Sequence, residues 1–153
     1  MPVISSDLAR AQLASVPVVR LATSDGTGQP HLVVTTFAVH EDQIFTAVDR
    51  KPKTTRNLKR LRNIAENPRV AVLADHYEDA WEALWWVRGD GQARILTEAA
   101  EMAAPIEMLA ERSWQYRANR PEGPVIAITV QRWTGWSFSA RTSPQPSRMV
   151  TRK

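Results

Sequence analysis

Apolar and β-branched residues alternate with polar ones through most of this chain, and the alternation predicts a protein built mainly from β-strands. Short runs rich in Val, Ile, Thr and aromatic residues, bounded by Gly, Pro, Asn or Asp, are typical of strands joined by turns. The first three runs lie close together, which predicts an antiparallel meander with short hairpin connections. The six predicted strands span residues 16–23, 31–39, 43–48, 70–75, 84–96 and 124–140.

Three other segments show the 3.6-residue spacing of amphipathic helices. Ser6 or Asp7 is the predicted N-cap of the first helix, and Asn67–Pro68 stops the second. The three helices span residues 6–14, 54–66 and 98–119. Six strands with helical excursions predict a mainly β fold: a closed antiparallel barrel in a single domain over residues 1–140.

The long fifth strand can be divided by parity, because successive side chains of a strand point to opposite faces. Trp86 and Arg88 share the more polar face, which predicts a covered surface, either a subunit interface or a wall of a ligand site. Ordinary partial exposure of Trp86 is an equally good reading. The apolar face, which we predict to line the barrel core, carries Ala83, Trp85, Val87, Ala93 and Ile95.

Length and composition narrow the class of protein. At 153 residues the chain can bury a continuous core, and its lack of cysteine excludes disulfides, thiolate metal sites and thiol chemistry. No apolar run is long enough for a signal peptide or a membrane span. We therefore expect a cytoplasmic protein without a membrane partner.

The net charge of +4 conceals a local concentration of positive charge. Of the 20 basic residues, seven lie between Arg50 and Arg62 and four lie in residues 141–153, a polar tail that we expect to be flexible. The other nine basic residues face 16 acidic ones, so the body of the protein is acidic. A nucleic-acid-binding protein usually spreads its cations over a whole face, which makes nucleic acid an unlikely partner.

The basic run lies between a predicted strand and a predicted helix, a geometry that suits a phosphate group. Cations in the first helical turn oppose the helix dipole unless an anion binds nearby, so we predict an anion site at Lys51, Lys53, Thr54 and Arg56. The later cations of the run are better explained as a solvated helix face. These are Lys59, Arg60 and Arg62.

No catalytic signature is present in the sequence. His31, His40 and His76 lack the spacing of a metal site, and there is no GxSxG elbow, GxGxxG fingerprint or P-loop. We therefore predict no metal and assign no catalytic residue. If the protein is an enzyme, a bound cofactor carries the chemistry. Trp136, one of six tryptophans, is as well explained by core packing as by a role at a site.

The order of segments resembles the pyridoxamine 5′-phosphate oxidase-like split barrels, and in particular their branch of probable coenzyme F420-dependent oxidoreductases. The resemblance covers Leu13 to Ser139, and no single motif within it is strongly specific. It is carried by the succession GQPHLVVTTFAV, IFTAVDRKPKTTRNL, NPRVAVLAD and ALWWVRGDGQARIL.

The resemblance implies a six-stranded split β-barrel and a homodimer with two sites for FMN or F420 at the subunit interface. It assigns the cofactor phosphate to the segment after the third strand, at Lys51, Lys53, Thr54, Arg56 and Asn57. The backbone beside the cofactor ring matches Val33, Val34, Thr35 and Thr36, with a further contact at Thr46. Trp86 and Trp136 would close the site, and extra cations such as Arg60 and Arg88 would meet the anionic oligoglutamate tail of F420.

Two departures from the family pattern argue against pyridoxamine phosphate oxidation and against a standard FMN site. Val33 stands where FMN-type oxidases have an arginine, and their C-terminal substrate signature is not clearly present in WSFSARTSP. The sequence thus predicts an F420-dependent oxidoreductase that transfers hydride to a small organic acceptor, which the sequence does not identify. The alternatives are an FMN-dependent oxidoreductase of the same fold, or a non-catalytic module that binds a cofactor or nucleic acid.

Overall fold

The computed structural model describes residues 3–48 and 58–139 of the chain. Seven strands and four helices follow one another, with a single turn of 3-10 helix at Trp81–Ala83. The helices are α1 (Ser6–Ala14), α2 (Lys59–Glu66), α3 (Ala99–Arg112) and α4 (Trp114–Ala118). The strands are β1 (Val18–Ser24), β2 (Pro30–Thr36), β3 (Ala38–His40), β4 (Gln43–Ala47), β5 (Arg69–His76), β6 (Trp85–Leu96) and β7 (Val125–Ser137).

All seven strands form one antiparallel sheet in the order β2-β1-β5-β6-β7-β4-β3. The sheet curls on itself, so that Thr35 on β2 and Thr46 on β4 meet through their hydroxyl groups at 3.2 Å. The mainly β, split-barrel architecture predicted from the sequence is confirmed. The strand count is seven instead of six.

The additional strand arises at Phe37, where the predicted strand 31–39 divides in two. The sequence there contains no Gly or Pro, yet Phe37 is buried and separates β2 from β3. β2 pairs with β1 at one end of the sheet, and β3 pairs with β4 at the other. The predicted three-strand meander is therefore wrong: the chain crosses from one sheet edge to the other at this residue.

The main core lies inside the curl of the sheet, where α1 and α2 contribute buried apolar side chains. The predicted parity of the fifth strand is confirmed from Trp85 onward, because Val87 and Ala93 are buried and Trp85 and Ile95 pack against this core. Ala83 instead ends the 3-10 turn before β6 and is not part of the core. A second cluster lies on the opposite side of β4 and β7, beneath α3. The outside of the sheet is thus covered by α3 at β3, β4 and β7.

The long β6–β7 pair contains a bulge. Asp90 pairs with Arg132 and Gly91 with Val130, so the extra residue, Gln131, lies on β7. A β-carbon added at Gly91 would lie 2.0 Å from the carbonyl oxygen of Thr129. The glycine is required by this close backbone approach.

Helix boundaries differ from prediction at their N-termini. The side chain of Ser5, not of Ser6 or Asp7, accepts a hydrogen bond from the Leu8 N–H and caps α1. Helix α2 begins at Lys59 instead of residue 54, because Leu58 has extended backbone angles. Its predicted stop is confirmed, since the helix ends at Glu66, directly before Asn67–Pro68.

The third predicted helix divides at Ser113 into α3 and α4. Within the described residues, no helix is long and apolar enough to cross a membrane.

Candidate functional site

The residues assigned to the cofactor divide into two groups. The five assigned to the phosphate lie outside the residues that the structure describes. These are Lys51, Lys53, Thr54, Arg56 and Asn57. The other eight lie on four strands, β2, β4, β6 and β7, and the sheet register determines which of them share a face.

On β2, alternate residues serve different sides of the sheet. Val33 packs partly against the main core, and Thr35 lies next to the fully buried Thr46. Val34 and Thr36 point to the other side, where Val34 is 62% exposed. The side chains of Thr35 and Thr46 therefore join β2 to β4 inside the barrel. Of the assigned residues of β2, only Val34 and Thr36 point towards a ligand outside the sheet.

The register aligns four of these outward side chains in one row. Val34 on β2 is opposite Arg20 on β1, Arg20 is opposite Leu73 on β5, and Leu73 is opposite Arg88 on β6. Directly opposed residues of neighbouring strands lie on the same face of a sheet. Val34 and Arg88 therefore belong to a single surface, here called the outer face. Its exposed apolar side chains are Leu32, Val34 and Leu73.

A second row of the outer face contains both predicted tryptophans. Asp75 on β5 is opposite Trp86 on β6, which is opposite Trp136 on β7. Asp75 also accepts a hydrogen bond from the Arg20 guanidinium at 3.0 Å, which links this row to the first. The guanidinium of Arg88 lies 5.9 Å from the centroid of the Trp86 ring. Sequence reasoning missed Arg20 and Asp75, because only the tertiary register makes them neighbours.

Trp136 has a buried polar atom for which the described residues offer no partner. Its indole Nε1 is shielded from solvent and makes no hydrogen bond with residues 3–48 or 58–139. The ring of Phe138 meets Trp136 edge-on at 6.3 Å, and Val3 pairs with it across an isolated bridge. A buried N–H without an acceptor costs about 1–3 kcal/mol. An acceptor supplied by a ligand or a second chain would remove that cost.

Tyr116 is a third residue that sequence reasoning missed. Its phenol oxygen lies 3.1 Å from the hydroxyl of Thr36 at the end of β2, although the two residues are 80 positions apart. Helix α4, which carries Tyr116, packs against α3. The contact holds the outward-facing hydroxyl of Thr36 in place beside the start of β3.

The beginning of α2 is cationic, as the basic run predicted, but at later residues. Its first turn contains Lys59 and Arg60 and no acidic residue. The Nζ atom of Lys59 lies 3.7 Å from a carboxylate oxygen of Asp25 in the β1–β2 hairpin. The pKa of Asp25 is lowered to about 2, chiefly by the Thr27 hydroxyl and then by the Gln29 N–H. Lys59, predicted to be solvated, is therefore paired with a stable anion.

Beneath this helix start is a buried polar group. Asn63 on α2 is fully buried and donates a hydrogen bond to the Thr23 hydroxyl at 3.0 Å. His31 is the register partner of Thr23. The Nδ1 atom of His31 and the Oδ1 atom of Asn63 are both buried, and neither has a hydrogen-bond partner among the residues that the structure describes. The hydrogen bond between Asn63 and Thr23 anchors the middle of α2 to strand β1.

The remaining histidines show no metal site. His76, predicted to be a surface or strand residue, ends β5 with its side chain largely buried and its Nε2 atom 2.5 Å from a Glu78 carboxylate oxygen. Within the described residues, no group of three or more His, Cys, Asp or Glu side chains could hold a metal ion. The described outer face can therefore bind and orient a ligand through stacking, ion pairing and backbone contacts.

Comparison with known proteins identifies related folds. Residues 5–137 match the family model described as pyridoxamine 5′-phosphate oxidase. No curated protein sequence matches the chain. Three solved structures show the range of similar folds, and each is less than 25% identical to this chain.

The conserved hypothetical protein Rv2991 from Mycobacterium tuberculosis has a TM-score of 0.70 at 22% identity, covering 94% of this chain and 91% of that one. A FAD-binding protein from Mesorhizobium loti has a TM-score of 0.67 at 20% identity, covering 87% and 94%. The heme storage protein HutZ from Vibrio cholerae has a TM-score of 0.63 at 15% identity, covering 86% and 89%. At these identities the likeness concerns the fold.

Proposed function

This chain belongs to the pyridoxamine 5′-phosphate oxidase family, and from that premise we propose that it is an oxidoreductase whose redox chemistry is carried by a bound flavin-type cofactor, the deazaflavin F420. The observation that carries the proposal is the outer face, which carries Trp86, Trp136 and Arg88 on β6 and β7 and extends across β5 and β1 to the edge strand β2. When bound, reduced F420 supplies a hydride to the acceptor. The protein binds the cofactor, orients the acceptor and excludes water.

Several features of the described residues fit such a cofactor. β2 pairs only with β1 in the sheet, and an edge strand keeps outward backbone N–H and C=O groups that can meet the polar edge of a ring. The orphaned Nε1 of Trp136 is a donor that lacks an acceptor. The first turn of α2 has cations and no acid, which suits a phosphate nearby. The phosphate itself is assigned to Lys51, Lys53 and Thr54 by the family resemblance.

The proposed assembly is a homodimer formed through the outer face. Leu32, Val34 and Leu73 are 67%, 62% and 38% exposed on neighbouring strands of a sheet whose other side is a packed core. Apolar side chains grouped in this way mark interaction sites. A second copy would cover them and would bring its own tryptophans to the site, so each cofactor would lie between two chains.

F420 is favoured over FMN for two reasons that the sequence supplies. Val33 replaces the arginine of FMN-type members, and its side chain packs partly against the core, so it offers no charge to a phosphate. We assign the anionic oligoglutamate tail to Arg88 on the outer face, whose Nε atom lies 3.1 Å from a carboxylate oxygen of Asp90. FMN remains the second candidate, because a structurally similar protein is described as FAD-binding.

Titration of the purified protein with F420, FMN, FAD and haemin, followed by absorbance and calorimetry, tests the proposal. We expect F420 to bind most tightly, and reduced F420 to be oxidised when a suitable acceptor is supplied. Tighter binding of FMN or FAD would replace F420 with a flavin. Binding of haemin alone, or of none of the four, would contradict the proposal.

A charge variant tests the assigned phosphate contacts. Lys53→Ala should weaken F420 binding by about 1.5–3 kcal/mol, because it removes a charged hydrogen bond to phosphate. Arg94→Ala is the matched control, since Arg94 is an exposed cation on β6 that pairs with Glu101. Equal loss of affinity in the two variants would indicate general electrostatic attraction, and would remove Lys53 from the site.

A further inference from the structure

One end of the barrel carries a group of exposed aromatic side chains that the proposed site does not use. Tyr77 and Trp81 lie in the loop between β5 and β6 and are 73% and 60% exposed, and Phe138 lies just after β7 and is 43% exposed. The Phe138 N–H donates to the Leu84 carbonyl at 3.0 Å, which brings the end of β7 against this loop. We call Tyr77, Trp81 and Phe138 the aromatic end.

The loop of the aromatic end is acidic. The segment DHYEDAWEA, residues 75–83, contains four acidic residues and no Lys or Arg. Asp75 pairs with Arg20 and Glu78 with His76. Asp79 and Glu82 are exposed, and their carboxylates make no ion pair or hydrogen bond with another residue in the described part of the chain. An occupant of this surface should therefore combine cations with groups that pack on aromatic rings.

The segment that follows Ser139 has this composition. Residues 140–153 read ARTSPQPSRMVTRK, with four basic residues, no acid, two prolines and the apolar pair Met149–Val150. The Ser139 hydroxyl donates a hydrogen bond to the Glu82 carbonyl at 2.7 Å. The residue that precedes the segment is therefore in contact with the loop, and the segment's 14 residues can span up to about 46–50 Å.

We propose that the basic segment 140–153 binds to the aromatic end of its own chain, with its arginines beside Asp79 and Glu82 and its apolar and proline residues on Tyr77, Trp81 and Phe138. Arginine stacks on tryptophan and methionine packs against aromatic rings. Proline-containing extended segments bind aromatic surfaces at low entropic cost. Because the segment is joined at Ser139, its effective concentration at the surface is high.

The absence of cysteine allows the proposal to be tested in the full-length chain. Met149→Cys would carry the only thiol, and a nitroxide attached there broadens NMR signals of nearby nuclei. We expect loss of the indole N–H signal of Trp81, identified by its disappearance in Trp81→Phe. A nitroxide at Thr27→Cys, in the exposed β1–β2 hairpin, is the matched control and should leave this signal intact.

Two perturbations separate specific docking from chance proximity. At 1 M NaCl, where the screening length is about 3 Å, the Trp81 signal should recover substantially. The double variant Asp79→Lys/Glu82→Lys, carrying the same nitroxide at position 149, should recover it at low salt. If the nitroxide at position 149 left the Trp81 signal unchanged in the protein that keeps Asp79 and Glu82, the proposal would be overturned.

A mixed sample identifies the chain that supplies the segment. An isotope-labelled chain without nitroxide is mixed with an equal amount of unlabelled chain that carries it. We expect the Trp81 signal of the labelled chain to remain sharp, because each aromatic end is occupied by its own segment. Loss of about half of that signal, the fraction expected when half of the partner chains carry the nitroxide, would overturn the proposal in favour of docking between copies. Failure to bind any cofactor would leave this result unchanged.

Discussion

The hydroxyl of Thr46 on β4 lies 3.2 Å from the hydroxyl of Thr35 on β2, and this contact joins strands from the two ends of the sheet. Thr46 is fully buried, and Thr35 also lies 3.0 Å from the carbonyl oxygen of Thr36. The two threonines are therefore unequal. The Thr35 hydroxyl has an alternative acceptor, whereas the Thr46 hydroxyl has no other hydrogen-bond partner in the described part of the chain.

This asymmetry predicts unequal costs for the two valine substitutions. Thr35→Val leaves the buried Thr46 hydroxyl unpaired and should lower the free energy of unfolding by about 1–3 kcal/mol. Thr46→Val should cost less, about 1 kcal/mol or below, since Thr35 keeps its carbonyl partner. Urea denaturation of both variants and of the double variant measures these values. A larger loss for Thr46→Val would contradict the asymmetry.

Gly91 should not tolerate a side chain. Because an added β-carbon would lie 2.0 Å from the Thr129 carbonyl oxygen, Gly91→Ala must displace β7 backbone and should cost about 3 kcal/mol or more. Gly26→Ala is the control, because the nearest atom there, on Glu66, lies at 3.4 Å. Its effect should stay within about 1 kcal/mol. Equal melting temperatures for the two variants would show that the bulge adapts freely.

The sequence revealed much of the framework because its local signals agree with the tertiary structure. Parity along β6 identified Val87 and Ala93 as core, and Asn67–Pro68 marked the end of α2. The division at Phe37 has no local signal. It follows from sheet closure, in which the chain must pass from one edge strand to the other.

The candidate site was less accessible to sequence reasoning, because its geometry is set by contacts between distant residues. Arg20 and Asp75 are 55 positions apart, and Thr36 and Tyr116 are 80 apart. Alternation along β2 does indicate that Val34 and Val33 face opposite ways. It does not indicate that Val34, Arg20, Leu73 and Arg88 form one row, since that depends on strand order and register.

The pKa of Asp25, lowered from 3.8 to about 2, predicts a loss of stability in acid. The unfolded chain takes up the proton at a higher pH than the folded one, so the stabilisation by this carboxylate is complete above pH 3.8. It is lost as the pH falls through about 2. Thr27→Val removes the largest cause of the shift, the hydroxyl hydrogen bond, and should raise the pKa of Asp25.

NMR titration of the Asp25 carboxyl carbon in both proteins measures this change directly. The stability difference between the natural chain and Thr27→Val should be constant near neutral pH and should shrink as the pH falls from 4 towards 2. If the pKa of Asp25 is the same in the two proteins, the backbone N–H groups of Gln29 and Thr27 are sufficient to keep it low.

The outer face predicts a charge-sensitive dimer. Val34→Lys places a second cation beside Arg20 in the middle of the proposed interface, so light scattering should report a monomer. Trp114→Lys is the matched control, because Trp114 is 65% exposed on α4, outside the outer face, and this variant should remain dimeric. A natural chain that is monomeric, or a Val34→Lys variant that stays dimeric, would exclude this interface.

The unpartnered Nε1 atom of Trp136 distinguishes a binding role from plain packing. If a cofactor or a second chain supplies its acceptor, Trp136→Phe should weaken cofactor binding about 5- to 10-fold, the equivalent of one net hydrogen bond of about 1–1.4 kcal/mol. The stability of the ligand-free chain should change little or rise, because a buried donor without an acceptor is removed. Trp133→Phe is the control, since the Trp133 Nε1 atom already donates to Asp42 at 2.9 Å. That variant should lose stability while keeping its affinity for the cofactor. If Trp133→Phe weakened cofactor binding and Trp136→Phe did not, the cofactor would not bind beside Trp136.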